Sequence, residues 1–106
     1  MPRCRKCAPV PEEVRQAASL LERRWLLSIL WAAHEGAVRY NEFLHAVGRI
    51  PPRTLAARLV ELEEAGILER RVIASRPPTV EYRLTPAGER LGVVVDALRR
   101  VAMSAT

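Results

Sequence analysis

Residues 41–66 read NEFLHAVGRIPPRTLAARLVELEEAG, and the fold turns on how this stretch divides. Asn41 can cap a helix with its side-chain oxygen, and the helix it opens carries Phe43, Leu44 and Val47. Gly48 stops that helix after about two turns. Arg49, Ile50 and Pro51 then make a tight turn. Pro52 opens a second helix at its first position, where the missing N–H is no loss. Leu55, Leu59 and Leu62 follow at the spacing of one buried helix face, and Gly66 ends the helix, which is expected over residues 52–65. A short helix, a tight turn and a longer helix make a helix-turn-helix unit.

Working outward toward the C-terminus, residues 67–74 and 79–84 read as two strands. Val80, Tyr82 and Leu84 alternate with Glu81 and Arg83, the period of a half-buried strand. Ser75-Arg76-Pro77-Pro78 between them is a turn signal. A hairpin therefore follows the second helix at once. Thr85-Pro86 begins a last helix with a cap and a first-turn proline, along which Leu91, Val94, Val95, Leu98 and Ala102 form an apolar stripe.

Toward the N-terminus, Trp25 to His34 is apolar on all sides, as befits a central buried helix, and Gly36 ends it. Val38 to Tyr40 is a short extended piece. Pro11 begins an earlier helix in which Glu12 and Glu13 suit the helix dipole and Val14, Ala17, Ala18 and Leu21 share a face. Residues 1–10 are a basic, flexible arm holding Cys4 and Cys7, and 11–106 a single domain. The expected architecture is mainly α with a small β-hairpin wing: a winged helix-turn-helix.

Composition narrows what such a domain can do. The net charge is +5 over 106 residues, and Lys6 is the only lysine. Guanidinium groups suit phosphates and guanine edges, although an arginine bias of the whole composition also raises the charge. With Leu55, Leu59 and Leu62 inward, Arg53, Thr54, Ala57 and Arg58 should point mostly outward over the first two turns of the second helix. Glu61, Glu63 and Glu64 lie toward its other end. In a helix-turn-helix the second helix enters the major groove and presents its N-terminal residues to base edges. The expected DNA-binding residues are therefore Arg53, Thr54, Ala57 and Arg58, with Arg39 and Asn41 at the start of the unit. Arg71, Arg76 and Arg83 of the wing (67–84) would meet the backbone or minor groove. No nucleophile, base and orienting group cluster and no phosphate loop occurs, so an enzyme is not expected. A winged helix that binds protein instead of DNA is the competing reading, and Arg53, Arg58 and Arg76 speak against it. No run of 18 apolar residues suggests a membrane span. The basic start lacks an apolar signal core, so the expected location is the cytoplasm.

Several of these segments share the wording of one family. Arg39-Tyr40-Asn41-Glu42-Phe43-Leu44 resembles the R-[FY]-[NS]-E-L stretch of HxlR-type winged-helix regulators, which are related to MarR-like winged helices. Pro52-Arg53-Thr54-Leu55 and Arg58 to Arg70 are similar to their P-R-T-L and R-L-x-E-L-E-E-x-G-[LI]-[LV]-x-R segments. Pro77 to Gly88 resembles their P-P-x-V-E-Y-x-L-T-x-x-G wing and exit, and Trp25 their tryptophan at the central helix. The resemblance covers about residues 20–100. It departs at Pro51, where the family usually has serine. It implies a homodimeric, sequence-specific transcription regulator of double-stranded DNA, joined through its N- and C-terminal helices. Val14, Ala18, Leu21, Leu91, Val94, Val95 and Leu98 are then the expected interface residues.

Some members sense oxidants through a cysteine just before the first helix. Cys7 sits in roughly that place, with Ala8 between it and Pro9. Neighbouring Arg3, Arg5 and Lys6 would stabilise a thiolate. Cys4 and Cys7 are candidate redox residues. They can also be inert, form a local disulfide, or supply half of a zinc site shared between subunits, since zinc takes about four ligands and neither His34 nor His45 is suitably spaced. No cofactor or metal is expected, and the sequence names no effector.

Overall fold

The computed structural model describes Arg3 and residues 5–104. These run α1 (Glu12–Leu21), α2 (Leu26–His34), α3 (Tyr40–Val47), α4 (Pro52–Glu64), β1 (Leu68–Ile73), β2 (Thr79–Leu84), α5 (Pro86–Arg90) and α6 (Gly92–Ser104). The strands form one antiparallel hairpin in which Leu68 faces Leu84 and Ile73 faces Thr79. The core gathers Leu26, Ile29 and Leu30 of α2, Phe43 of α3, the three leucines of α4, and Leu68. Helices α2, α3 and α4 thus bury residues of the faces that their apolar spacing marked.

Several local expectations shift. Pro11 stands at the N-cap of α1 rather than in its first turn. Trp25 is not helical. It caps α2 with φ 75°, a left-handed backbone uncommon for a bulky residue. Asn41 does not cap α3 but lies in its first turn, the cap being Arg39. The Glu42 carboxylate does the capping instead, accepting the N–H groups of Val38 at 2.9 Å and Arg39 at 2.8 Å. Those two backbone donors, that of Val38 foremost, hold its carboxyl below the usual carboxylate range. This contribution to stability is present above the unfolded carboxylate pKa and fades as pH falls through the folded one. The extended piece before α3 forms no strand of its own. Its Val38 carbonyl accepts the Tyr82 N–H of β2 at 2.6 Å and so ties the hairpin to the helices.

The last helix is two. The chain breaks at Leu91, where Leu91 N bonds Gly88 O and Val94 N bonds Leu91 O in tight three-residue steps. Close approach explains the break, because Gly88 lies against the Ile67 carbonyl and Gly92 against the His34 ring. The expected interface stripe is correspondingly divided. Val95 is 3% exposed inside its own protomer, and Leu91 packs on the same core. Leu98, Val101 and Met103 remain open. Helix α1 buries none of its residues. The radius of gyration is 16.3 Å, against about 13 Å for a compact chain of this size.

Candidate nucleic-acid interface

The N-terminal turn of α4 is fixed from three sides. Pro51 and Pro52 set its entry backbone, and without a side-chain cap their rigid φ takes over that role. Tyr40 Oη donates to the Pro52 carbonyl at 3.0 Å, joining the two helices of the unit at their starts. Leu55 anchors the turn in the core. On this platform Arg53 and Ala57 are exposed, while Thr54 is half-buried.

Arg58 does not share that outlook. Its side chain is 14% exposed and lies against Glu61, with Nε donating to the Arg24 carbonyl at 2.9 Å. The helical spacing that put it on the outer face is right for the Cβ. The long side chain folds back because two acceptors lie within its reach.

The wing arginines divide in a similar way. One hairpin face carries Glu69, Arg71, Glu81 and Arg83, with Glu69 opposite Arg83 and Arg71 opposite Glu81. Arg71 pairs with Glu69 at 3.1 Å and Arg83 with Glu81 at 2.8 Å, and Arg39 comes within 4.0 Å of Glu81 from the start of α3. Glu81 was expected to face solvent with Arg83, yet its side chain is 11% exposed. The arginines around it cover and neutralise it, which a buried carboxylate requires. Arg39, Arg71 and Arg83 are therefore held in place by their own domain. Among the described residues, Arg53 and Arg76 have no such ion pair, and neither does Arg49 in the turn before α4. The sequence marked Arg49 only as part of the turn; its φ of 54° and its exposed position come from the fold. Asn41 is exposed on the first turn of α3.

Cys7 is disulfide-bonded; Cys4 lies outside the described residues.

An HxlR-like helix-turn-helix profile matches residues 20–106, which take in the whole of this unit, the wing and the terminal helix. The chain belongs to the HxlR-like family. It is a helix-turn-helix transcriptional regulator with a winged-helix fold. The HTH-type transcriptional regulator YvaP of Bacillus subtilis (strain 168) is 32% identical over 87 residues, spanning 82% of this chain and 81% of that protein. The reduced form of the transcriptional regulator YodB from B. subtilis superposes with a TM-score of 0.77 at 33% identity, covering 89% of this chain and 92% of that one. The redox regulator HypR in its oxidised form gives 0.80 at 32% identity, covering 87% and 95%. Among the described residues, no helix of this HxlR-like chain is long and apolar enough to cross a membrane.

Proposed function

We propose that this HxlR-like regulator binds duplex DNA as a homodimer. The start of α4 lies in the major groove and the wing lies on the backbone or minor groove. The observation that carries this reading is the sorting of arginines. Arg53 stands exposed and without an ion pair at the groove-facing start of α4, whereas the acidic end of that helix carries Glu61, Glu63 and Glu64. Arg53 and Arg49 are free to meet bases and phosphates. Arg39, Arg71 and Arg83 offer guanidinium groups already oriented by Glu81 and Glu69, and Asn41, Thr54 and Ala57 complete the surface. The Arg71–Glu69 pair is exposed on both sides, and such pairs are worth little, about 0–1 kcal/mol, so a phosphate can draw Arg71 away at small cost. Arg39 and Arg83 would instead meet a phosphate from their places over Glu81.

A homodimer is supported by what the protomer leaves uncovered. Val14 of α1 is 54% exposed and Val101 of α6 64%, and Ala18, Leu21, Val94 and Leu98 lie on the same two helices. The protein is read as cytoplasmic and without enzymatic activity.

Arg76 at the hairpin tip is the wing's expected phosphate contact. Its replacement by alanine should lower the slope of log affinity against log salt by about 1 and weaken all duplexes alike. Fluorescence anisotropy across a salt series measures this, and an unchanged slope would take the wing tip out of the footprint.

The arm is read as redox-responsive. HypR is described in both reduced and oxidised forms, and Cys7 is disulfide-bonded here. After reduction of the disulfide and removal of the reductant, peroxide should oxidise the thiols again and shift the DNA affinity of the wild type, and leave a Cys7→Ser variant unmoved. Equal affinity in every state would remove the cysteines from regulation.

A further inference from the structure

The middle of α4 is tied to the joint between α1 and α2. Arg58 donates from Nε to the Arg24 carbonyl at 2.9 Å and from Nη1 to Glu61 Oε1 at 3.2 Å. Arg23, on the same joint, reaches that carboxylate oxygen at 2.7 Å. Two cations from different elements thus share Glu61, and a further bond from Arg58 ends on the joint's backbone. The planar guanidinium fork serves the carbonyl and the carboxylate together from fixed donors.

The joint also holds one of the two non-glycine residues with a positive φ among the described residues. Trp25 takes its left-handed φ directly after the carbonyl that Arg58 holds. Its ring packs on the core, with the Arg24 guanidinium over it at 4.9 Å. Such a conformation persists when its surroundings over-determine it, and here the core holds one side of the residue and α4 the other.

We propose that Arg58 and Glu61 are positioning residues that set the recognition helix against the α1–α2 joint without touching DNA. The clamp makes α4 and α1 neighbours in a mechanical sense, since α1 leads directly into the joint. A displacement of α1 is therefore felt at the reading helix. This inference rests on the proposed DNA-reading role of α4.

Positioning and base reading differ in what they change. A residue that reads a base relaxes preference at one position. A residue that aims the helix weakens preference along the whole half-site and leaves the count of phosphate contacts alone. The test measures binding of wild type, Arg58→Ala, Arg58→Lys, Glu61→Gln and the Arg58→Ala/Glu61→Gln pair. Each is titrated against a duplex selected by the wild type and against random duplex, over a salt series, with a thermal melt of each protein.

Arg58→Ala should lower the ratio of specific to random affinity about tenfold, the scale of a charge-assisted hydrogen bond. Its salt slope should match wild type. Arg58→Lys keeps the charge but gives up the fork, and should lose almost as much. Glu61→Gln should lose a smaller share in the same pattern, and the pair should lose no more than Arg58→Ala alone, because the two act as one unit. If Arg58→Ala does not fold, the lysine and glutamine variants decide the matter.

A slope lowered by about 1, or preference lost at a single base pair with Glu61→Gln silent, would show direct DNA contact and overturn the proposal. A lower melting temperature with unchanged specific affinity of the folded protein would overturn it too. A wild type that prefers no duplex sinks the DNA reading itself, an outcome visible without any variant.

Discussion

Gly88→Ala is expected to destabilise the fold by about 2–3 kcal/mol, the cost of forcing atoms into a packed site. A Cβ at this position would run into the backbone carbonyl oxygen of Ile67, with Leu84 Cδ2 at 3.0 Å. The carbonyl cannot step aside. It also accepts the Thr85 N–H at 3.0 Å, while the Thr85 hydroxyl donates to the neighbouring Gly66 carbonyl and accepts the Gly88 N–H at 3.0 Å. The end of β2 and the start of α5 are stitched to the α4–β1 turn at this point. Alanine's better helix propensity returns at most about 1 kcal/mol and does not reverse the sign. The melting temperature should fall by roughly 8–15 °C at fixed protein concentration. Gly92→Ala is the built-in comparison, because its nearest neighbour is the side-chain atom His34 Cε1 at 3.3 Å, which can shift. A Gly88→Ala protein melting within about 2 °C of wild type would show that the turn has slack the structure does not reveal.

The elements that were legible in the sequence are those that periodicity and breakers determine. Leu55, Leu59 and Leu62 placed the buried face of α4, and Pro52 and Gly66 bounded it. The alternation of Val80, Tyr82 and Leu84 gave the second strand of the wing. What stayed hidden depends on tertiary contacts. The break at Leu91 comes from Ile67 and His34 approaching Gly88 and Gly92, and no local composition reports that. Glu81 reads as a solvent-facing partner of Arg83 until Arg39 arrives from another element to cover it. Arg58 has the spacing of an outward residue, and only the neighbouring α1–α2 joint turns its side chain back. The sequence thus marked which positions carry arginine. The fold decided which of those arginines are occupied at home.

Among them Arg53 carries the central claim. It sits on the exposed first turn of α4, with Tyr40 and the two prolines fixing the backbone beneath it. A guanidinium so placed can bond a guanine edge with two donors. Its loss should cost about 1–3 kcal/mol on the specific site, or roughly 5- to 150-fold in affinity, and only a small part of that on random DNA. Arg39 and Arg83 should behave differently. Glu81 holds both; on the proposed reading they would contact phosphates, and their removal should weaken specific and random duplexes alike.

The most direct measurement is selection of bound duplexes from a random pool, run in parallel for wild type and Arg53→Ala. The account predicts that wild type enriches a two-fold symmetric site, with half-sites about one helical turn apart or a multiple of it. The Arg53→Ala protein should enrich the same site with one position in each half-site relaxed. No enriched sequence from wild type, or an identical site and equal weakening on all DNA for the variant, would contradict the claim that the start of α4 reads bases.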